Sequence, residues 1–168
     1  IKDRALKLLD ESLLTPPGQE YEKKLATFID MAQKQLALIV PIKRTKLMRA
    51  EGGILRKEDG MYKISQLRSP DGKSAYPCVR LGDALLIPDG EYLAEYWKVP
   101  EKIDASTPDD AELEVCRQAQ EAIPFFAAAM CVPGEETQLY LLFMSQYNER
   151  VMNMQNELTA TARVNADV

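Results

Sequence analysis

The stretch that decides the fold reads MYKISQLRSPDGKSAYPCV and spans Met61 to Val79. Two runs suited to β-strands flank the tetrad Ser69-Pro70-Asp71-Gly72. In such a tetrad the proline presets φ, and the glycine accepts the positive φ that other residues resist. The stretch therefore predicts a β-hairpin, and the rest of the chain is organised around it.

Two helices are predicted on the N-terminal side of this hairpin. Apolar residues from about Lys2 to Leu14 fall on one helical stripe, and Thr15-Pro16-Pro17-Gly18 ends that helix. A second stripe, with spacings of three and four, predicts a helix from about Gln19 to Leu38. The short connection predicts that residues 1–40 form an antiparallel helical hairpin.

Residues 41–100 are predicted to be mainly β. The branched apolar run Leu38–Ile42 ends next to a proline and indicates an emerging strand. Further short strands are expected between turns that contain glycine. These strands comprise Ile54–Lys57, Val79–Leu81 and Ala84–Ile87.

The segment 90–98 fits two structures. Tyr92 and Tyr96 share a face of a helix, whereas Leu93 and Trp97 share a face of a strand. Asp89 could cap a helix at this point, which favours a short helix. Strand and helix nevertheless both stay open for 90–98.

Residues 107–160 are predicted to contain a helix, two strands and a C-terminal helix. Thr107-Pro108-Asp109-Asp110 supplies a capping oxygen, a proline at the first helical position and two carboxylates for the helix dipole. The helix that begins there is expected to stop before Pro124. The apolar run from Phe125 to Val132 is then expected to form a strand.

The segment 137–146 also has two interpretations. Continuous apolar residues from Leu139 to Phe143 favour a strand from Gln138 to about Gln146, because a helix there would have no wet face. Apolar residues also recur at intervals of four and three, however, so a single helix from Thr137 to Ala160 is the alternative. The choice stays open.

Together these elements predict an α+β fold in a single domain of 168 residues. Its parts are an N-terminal helical hairpin, a central and mostly antiparallel sheet, and further helices packed on the sheet.

Composition excludes several classes of partner. With 26 acidic and 21 basic residues, the net charge of −5 gives no general attraction to nucleic acid or anionic lipid. No apolar run is long enough to cross a membrane. The three cysteines are unclustered, which is typical of reduced thiols in a soluble cytoplasmic protein.

The basic segment at Lys43, Arg44, Lys46 and Arg49 is the one local departure from this acidic balance. A nucleic-acid patch would require aromatic residues between the charges as stacking platforms, and none is present. The segment is therefore better explained as a solvated loop or an edge strand.

The chain contains no histidine. This excludes Ser-His-Asp and Cys-His catalysis and histidine-ligated metals. The eight glycines form no dinucleotide or phosphate-loop motif. No residue is therefore assigned a catalytic, cofactor-binding or metal-binding role.

The order of motifs resembles the N-terminal domain of the SseB-like family, named for enhanced serine sensitivity. The resemblance is carried by paired helices leading into Leu38-Ile39-Val40-Pro41-Ile42 and by Ser69-Pro70-Asp71-Gly72 ahead of Ala75-Tyr76-Pro77-Cys78-Val79. The resemblance implies a bacterial, cytoplasmic α+β protein with a non-enzymatic role.

Two functions are considered. The first is a regulatory or adaptor module that binds another protein through exposed aromatic and methionine side chains. Its expected contact residues are Tyr92, Tyr96, Trp97, Met144, Met152 and Met154. Homo-oligomerisation stays open, whereas nucleic acid and membrane are not expected as partners. The alternative is a small enzyme that uses carboxylate, lysine or tyrosine chemistry, for example Glu91 and Glu95 near Tyr96.

Overall fold

The computed structural model describes residues 1–12, 19–108, 110–132 and 134–166, without the side chains of 10–12, 19–23 and 160–166. The chain divides into two compact units. A β unit comprises Pro41–Glu101, and a helical unit comprises Ile1–Val40 with Lys102–Val168. The expectation of a single domain stays a prediction, because compactness alone does not test whether a unit folds independently.

The described part of the helical unit contains four α-helices. They are α1 (Lys2–Ser12), α2 (Gln19–Ile39), α3 (Arg117–Cys131) and α4 (Thr137–Ala166). Helix α3 packs against each of the other three. The two N-terminal helices agree with the predicted helical hairpin. The expected end of the first helix at 13–14 and the turn at 15–18 lie outside the described residues.

Helix α3 contradicts the predicted strand from Phe125 to Val132. It also runs through Pro124, which was expected to end a helix. Proline removes one backbone hydrogen bond from a helix interior. Here Pro124 is buried together with the residues that follow it, so packing on several sides offsets that loss. The apolar run is continuous because other helices surround it, and alanine-rich sequence favours helix over strand.

The predicted helix start at Thr107 is also wrong, since α3 begins only at Arg117. Thr107 Oγ1 accepts a hydrogen bond from the backbone N–H of Asp104 at 3.0 Å, within a turn. The Gln120 side chain donates to the carbonyls of Leu113 and Val115 at 3.1 and 2.9 Å. Side-chain bonds thus hold this segment in a non-helical path. The expected cap carboxylate at position 109 lies outside the described residues.

Helix α4 decides the open choice at 137–146 in favour of a single helix. The strand from Gln138 to Gln146 was therefore wrong. Phe143 and Tyr147 are buried on one side of the helix, whereas Leu141 and Leu142 are exposed on the other. The assumption that a helix must place polar residues on its outer face does not hold here.

The β unit contains two antiparallel sheets. Its strands are β1 (Ile42–Ala50), β2 (Ile54–Arg56), β3 (Met61–Arg68), β4 (Ala75–Tyr76), β5 (Val79–Leu81), β6 (Ala84–Leu86) and β7 (Gly90–Lys98). The four-stranded sheet has the order β1-β7-β3-β4, and the three-stranded sheet has the order β2-β6-β5. The α+β class and the antiparallel pairing are confirmed. The packing of helices on a sheet stays a prediction.

The predicted hairpin is present, but it is shorter than expected. β3 pairs with β4 through Leu67 opposite Tyr76 and Arg68 opposite Ala75. Gly72 has the positive φ of 75° that the turn requires, and its N–H donates to the Ser69 carbonyl at 2.7 Å. Beyond Pro77, which has no N–H for pairing, the chain leaves the hairpin and forms β5 in the other sheet.

The segment 90–98 is strand β7, so the weak preference for a helix was wrong. β7 lies between β1 and β3 and pairs with both. Asp89 caps no helix there: its carboxylate accepts the N–H of Gly53 at 2.6 Å. Two partner strands outweigh the helical spacing of Tyr92 and Tyr96, because strand preference depends on pairing and packing.

One apolar cluster joins the two sheets of the β unit. Its buried members come from both sheets and comprise Met48, Ala50, Leu55, Met61, Ile64, Leu67, Leu85, Ile87, Tyr92 and Ala94. Met48 and Ala50 of β1 and Tyr92 and Ala94 of β7 face this cluster, and the residues between them are more exposed, as expected for a sheet with one solvated side.

Asp30 of α2 is a buried carboxylate that ties two parts of the helical unit together. It accepts hydrogen bonds from Lys34 at 2.6 Å, Gln33 at 3.1 Å and the distant backbone N–H of Ile103 at 3.0 Å. Burial raises the pKa of Asp30, but these donors together outweigh burial and lower the pKa below its ordinary value.

We expect Asp30→Asn to lower the free energy of unfolding by about 1–2 kcal/mol at neutral pH, because hydrogen bonds to a charged acceptor are lost. The lowered pKa means that the stabilisation is complete above 3.8 and disappears as the pH falls through the folded-state value. Urea unfolding followed by far-ultraviolet circular dichroism at several pH values measures this. A penalty that does not shrink in acid, or an equal one for the exposed Asp110→Asn, would contradict the assignment.

Candidate functional site

The candidate site is the outer face of α4, defined here as Leu141, Leu142, Met144, Ser145, Asn148, Glu149, Met152 and Asn153. The opposite side of α4 packs on α3, with the rings of Tyr147 and Phe126 centred 5.2 Å apart. Leu141 and Met152 are 58% and 60% exposed. They are eleven residues apart, which places them on the same side of the helix three turns apart.

The outer face carries little charge. Glu149 is its one ionisable member among the described residues. The neighbouring Arg150 is turned inward, where its guanidinium lies 4.0 Å from the ring centre of Phe125 and donates to the Gln146 carbonyl at 3.0 Å. Small and amide side chains, Ser145 and Asn148, lie between Leu141 and Met152. The face is therefore apolar at both ends and uncharged at its centre.

The three predicted contact methionines do not form one surface. Met152 is exposed and Met144 is partly exposed, so both belong to the outer face. Met154 is 4% exposed and belongs to the core. Leu141 and Leu142 were missed because their segment was interpreted as a strand. The spacing of Leu141 and Met152 was the sequence signal that could have identified them.

The three predicted contact aromatics lie on both sides of β7. Tyr92 is 6% exposed, its hydroxyl donates to the Pro88 carbonyl at 2.8 Å, and its ring meets that of Tyr76 edge-on at 5.2 Å. Tyr96 is partly buried against the core cluster of the β unit. These two side chains are thus structural in the β unit, and neither is an exposed contact residue.

Trp97 lies on the outer side of β7 and is partly exposed. Its ring stacks with that of Tyr62 at 6.3 Å, and the Lys63 Nζ lies 3.5 Å from its centre. The Tyr62 ring and the Lys63 ammonium group thus already pack against the Trp97 ring. Trp97 remains a contact candidate, although it is less accessible than Leu141 or Met152.

The residues of the enzymatic alternative do not converge. Glu91 and Glu95 lie on the solvated side of β7, whereas Tyr96 points to the opposite side. Glu95 accepts a hydrogen bond from Ser65 Oγ at 3.1 Å. Alternation along a strand separates these groups, so no common reaction centre forms between them.

The helical unit also has an open cavity of about 270 Å³. It lies between α1, α2 and the segment from Ile103 to Leu113, with Asp104 and Thr107 among its polar lining. Asp104 accepts from the backbone and hydroxyl of Ser106 at 2.9 and 2.6 Å, and these bonds hold its pKa below the ordinary value. Asp104 and Thr107 are thus both engaged in hydrogen bonds within this loop.

The described residues contain neither a metal centre nor a membrane-spanning helix. Across 1–12, 19–108, 110–132 and 134–166, no three cysteine, aspartate or glutamate side chains come together as metal ligands would. In the same described segments, no helix combines the length and apolar character needed to cross a membrane.

No protein-family model fits the chain, and no curated protein is significantly similar to it. The resemblance to the SseB-like family therefore stays a hypothesis that rests on the motifs alone.

If Tyr92 is structural, Tyr92→Phe should lower the free energy of unfolding of the β unit by about 1 kcal/mol, because its hydroxyl bond to Pro88 is lost. Urea unfolding followed by the fluorescence of Trp97, the chain's single tryptophan, measures this change. The exposed Tyr62→Phe is the control and should shift stability by less than about 0.5 kcal/mol. Equal effects of the two substitutions would refute the structural role.

Proposed function

We propose that this protein is a non-enzymatic protein-binding module of regulatory or adaptor type that works in the bacterial cytoplasm. The observation that carries the proposal is the exposed apolar character of the outer face of α4. Single exposed apolar residues are ordinary on protein surfaces. Here two leucines and two methionines share one helix face with only one charge among them, which is typical of contact surfaces.

The proposed partner element is an amphipathic helix of another protein. A helix that lies along α4 would pack its apolar stripe on the outer face, from Leu141 to Met152. Ser145 and Asn148 at the centre are small enough to allow a close approach of the two helices. Methionine adapts its shape to irregular partners, which suits such a surface.

Charge adds a second feature of this partner. Glu149 is exposed on the outer face, and Arg150 is engaged with Phe125 on the other side. A lysine or arginine on the partner helix would therefore find an opposite charge at this point. Such a pair adds specificity more than affinity, because it lies at the rim of the contact.

The test is site-specific photo-cross-linking in the native host. A photoreactive residue replaces Met152, and mass spectrometry identifies the peptide that is captured. We expect one dominant partner peptide of helical pattern, and we expect Leu141→Ser to reduce its capture roughly ten-fold, as for loss of one apolar anchor of the contact. The same photoreactive residue at the exposed Val79 of the β unit is the control.

Circular dichroism must show that Leu141→Ser keeps its helix content, as its exposure predicts. Size-exclusion chromatography with light scattering then separates the remaining outcomes. A captured peptide that comes from this chain itself would replace the adaptor function with self-association. A monomer whose photoreactive residue captures nothing, or captures the same peptides as the one at Val79, would refute the proposal.

A further inference from the structure

The outer edge of β1 is a second surface, unconnected with α4. In the four-stranded sheet β1 is an edge strand, and among the described residues β7 is its only partner strand from Ile42 to Ala50. Most strands have about five or six residues, so a nine-residue edge is long. All of Lys43, Thr45 and Leu47 are exposed, so no described part of the β unit covers this edge.

The direction of the backbone groups follows from the turn after β1. Glu51 and Ile54 exchange both backbone hydrogen bonds, at 3.0 and 3.3 Å, on the side away from β7. Backbone groups of successive residues in an antiparallel strand point to opposite sides. The N–H and C=O groups of Lys43, Thr45 and Leu47 therefore also point away from β7.

The next strand does not fill this edge. β2 meets β1 only at the bridge between Glu51 and Ile54, and then pairs with β6 instead. Among the described residues, Lys43, Thr45 and Leu47 have no backbone partner on their outward side. The Lys43 carbonyl is reached there only by the guanidinium of Arg44, at 3.0 Å. Three residues thus offer backbone groups for an added strand.

Basic side chains lie along this edge on both faces of the sheet. Lys46 forms an ion pair with Glu58, and Arg49 lies 3.4 Å from Glu51. Within the described segments, Lys43 and Arg44 form no ion pair with a carboxylate. This is the part of the edge that is furthest from β2. Lys43 and Arg44 are therefore available to pair with carboxylates of a partner.

These charges disfavour a second copy of the same edge. Antiparallel pairing of two β1 strands about Lys46 would place Lys43 opposite Arg49 and Lys46 opposite its own copy. Like charges directly opposite one another destabilise a strand pair, and basic edges are a common device against such pairing. The same charges would favour a strand that carries carboxylates.

We propose that the β1 edge binds an extended acidic segment of another protein, which adds to the four-stranded sheet as a fifth strand. Backbone hydrogen bonds to Lys43, Thr45 and Leu47 supply the pairing. Carboxylates opposite Lys43 and Arg44 supply the charge complement. The exposed Leu47, which lies beside Leu93 of β7, selects an apolar residue on the same face of the added strand as the carboxylate opposite Lys43.

The probe is a fluorescent nine-residue peptide, Thr-Thr-Thr-Val-Thr-Val-Glu-Glu-Thr, titrated with the intact chain and followed by anisotropy. Paired antiparallel with β1 so that its first residue faces Ala50, it places its two glutamates opposite Arg44 and Lys43 and its first valine opposite Leu47. We expect the double variant Lys43→Glu with Arg44→Glu to weaken binding at least ten-fold. The control is Arg68→Glu with Lys73→Glu, which has the same net charge and reverses two exposed basic residues elsewhere in the β unit. We expect this control to change binding less than two-fold.

Strand addition is tested separately from charge. Thr45→Pro removes one outward N–H without touching the bonds to β7, and we expect it to abolish binding, whereas Thr45→Val should not. Since the proline variant could fail to fold, the same peptide with N-methyl groups at alternate residues gives an independent test. Two such peptides are made, one with N-methyl groups on the odd residues and one with N-methyl groups on the even residues. We expect one of them to bind the unaltered chain at least ten-fold more weakly than the other.

Several outcomes would overturn the proposal. They are equal binding of both N-methylated peptides, equal loss with the control charge reversal, or an oligonucleotide that competes as well as the acidic peptide. A dimer in light scattering that dissociates with Thr45→Pro would assign the edge to a second copy instead. Leu141→Ser should leave peptide binding unchanged, so this proposal and that for α4 can fail separately.

Discussion

The burial of α3 on several sides is the constraint on which the helical unit depends. Ten of its fifteen residues are buried, and it packs against α1, α2 and α4. A helix in that position has no need of a polar stripe, and its sequence is continuously apolar from Ala122 to Cys131. Pro124 is tolerated there because the packing around it outweighs one missing backbone bond.

The central position of α3 also explains the chemistry of its neighbours. One side of α4 packs on α3 through Phe143 and Tyr147, which leaves Leu141 and Met152 on the opposite side and in water. Asp30 holds the backbone of Ile103 from α2, so the segment before α3 is fixed by a buried carboxylate rather than by a helix cap. The apolar outer face of α4 and the buried carboxylate of Asp30 thus both accompany the packing around α3.

In the β unit, strand pairing and the alternation of side chains along each strand decide the role of each side chain. β7 has a partner strand on both sides, so Tyr92 becomes core while Trp97, five positions later, lies on the solvated side. β1 has one partner, and its basic residues mark it as an edge. The helical and β units therefore present two unlike surfaces, one apolar and one basic.

By itself the sequence determined the α+β class and the turn at Ser69–Gly72, and it limited the basic segment to a solvated loop or an edge strand, because turn chemistry and charge act locally. It also predicted a contact surface that includes Met144, Met152 and Met154, of which Met154 is buried. Only the tertiary structure decided that Phe125–Val132 and 137–146 are helical, and which of Met152 and Met154 is exposed. A continuous apolar run fits a buried strand and a buried helix equally well, and only the neighbouring elements distinguish the two.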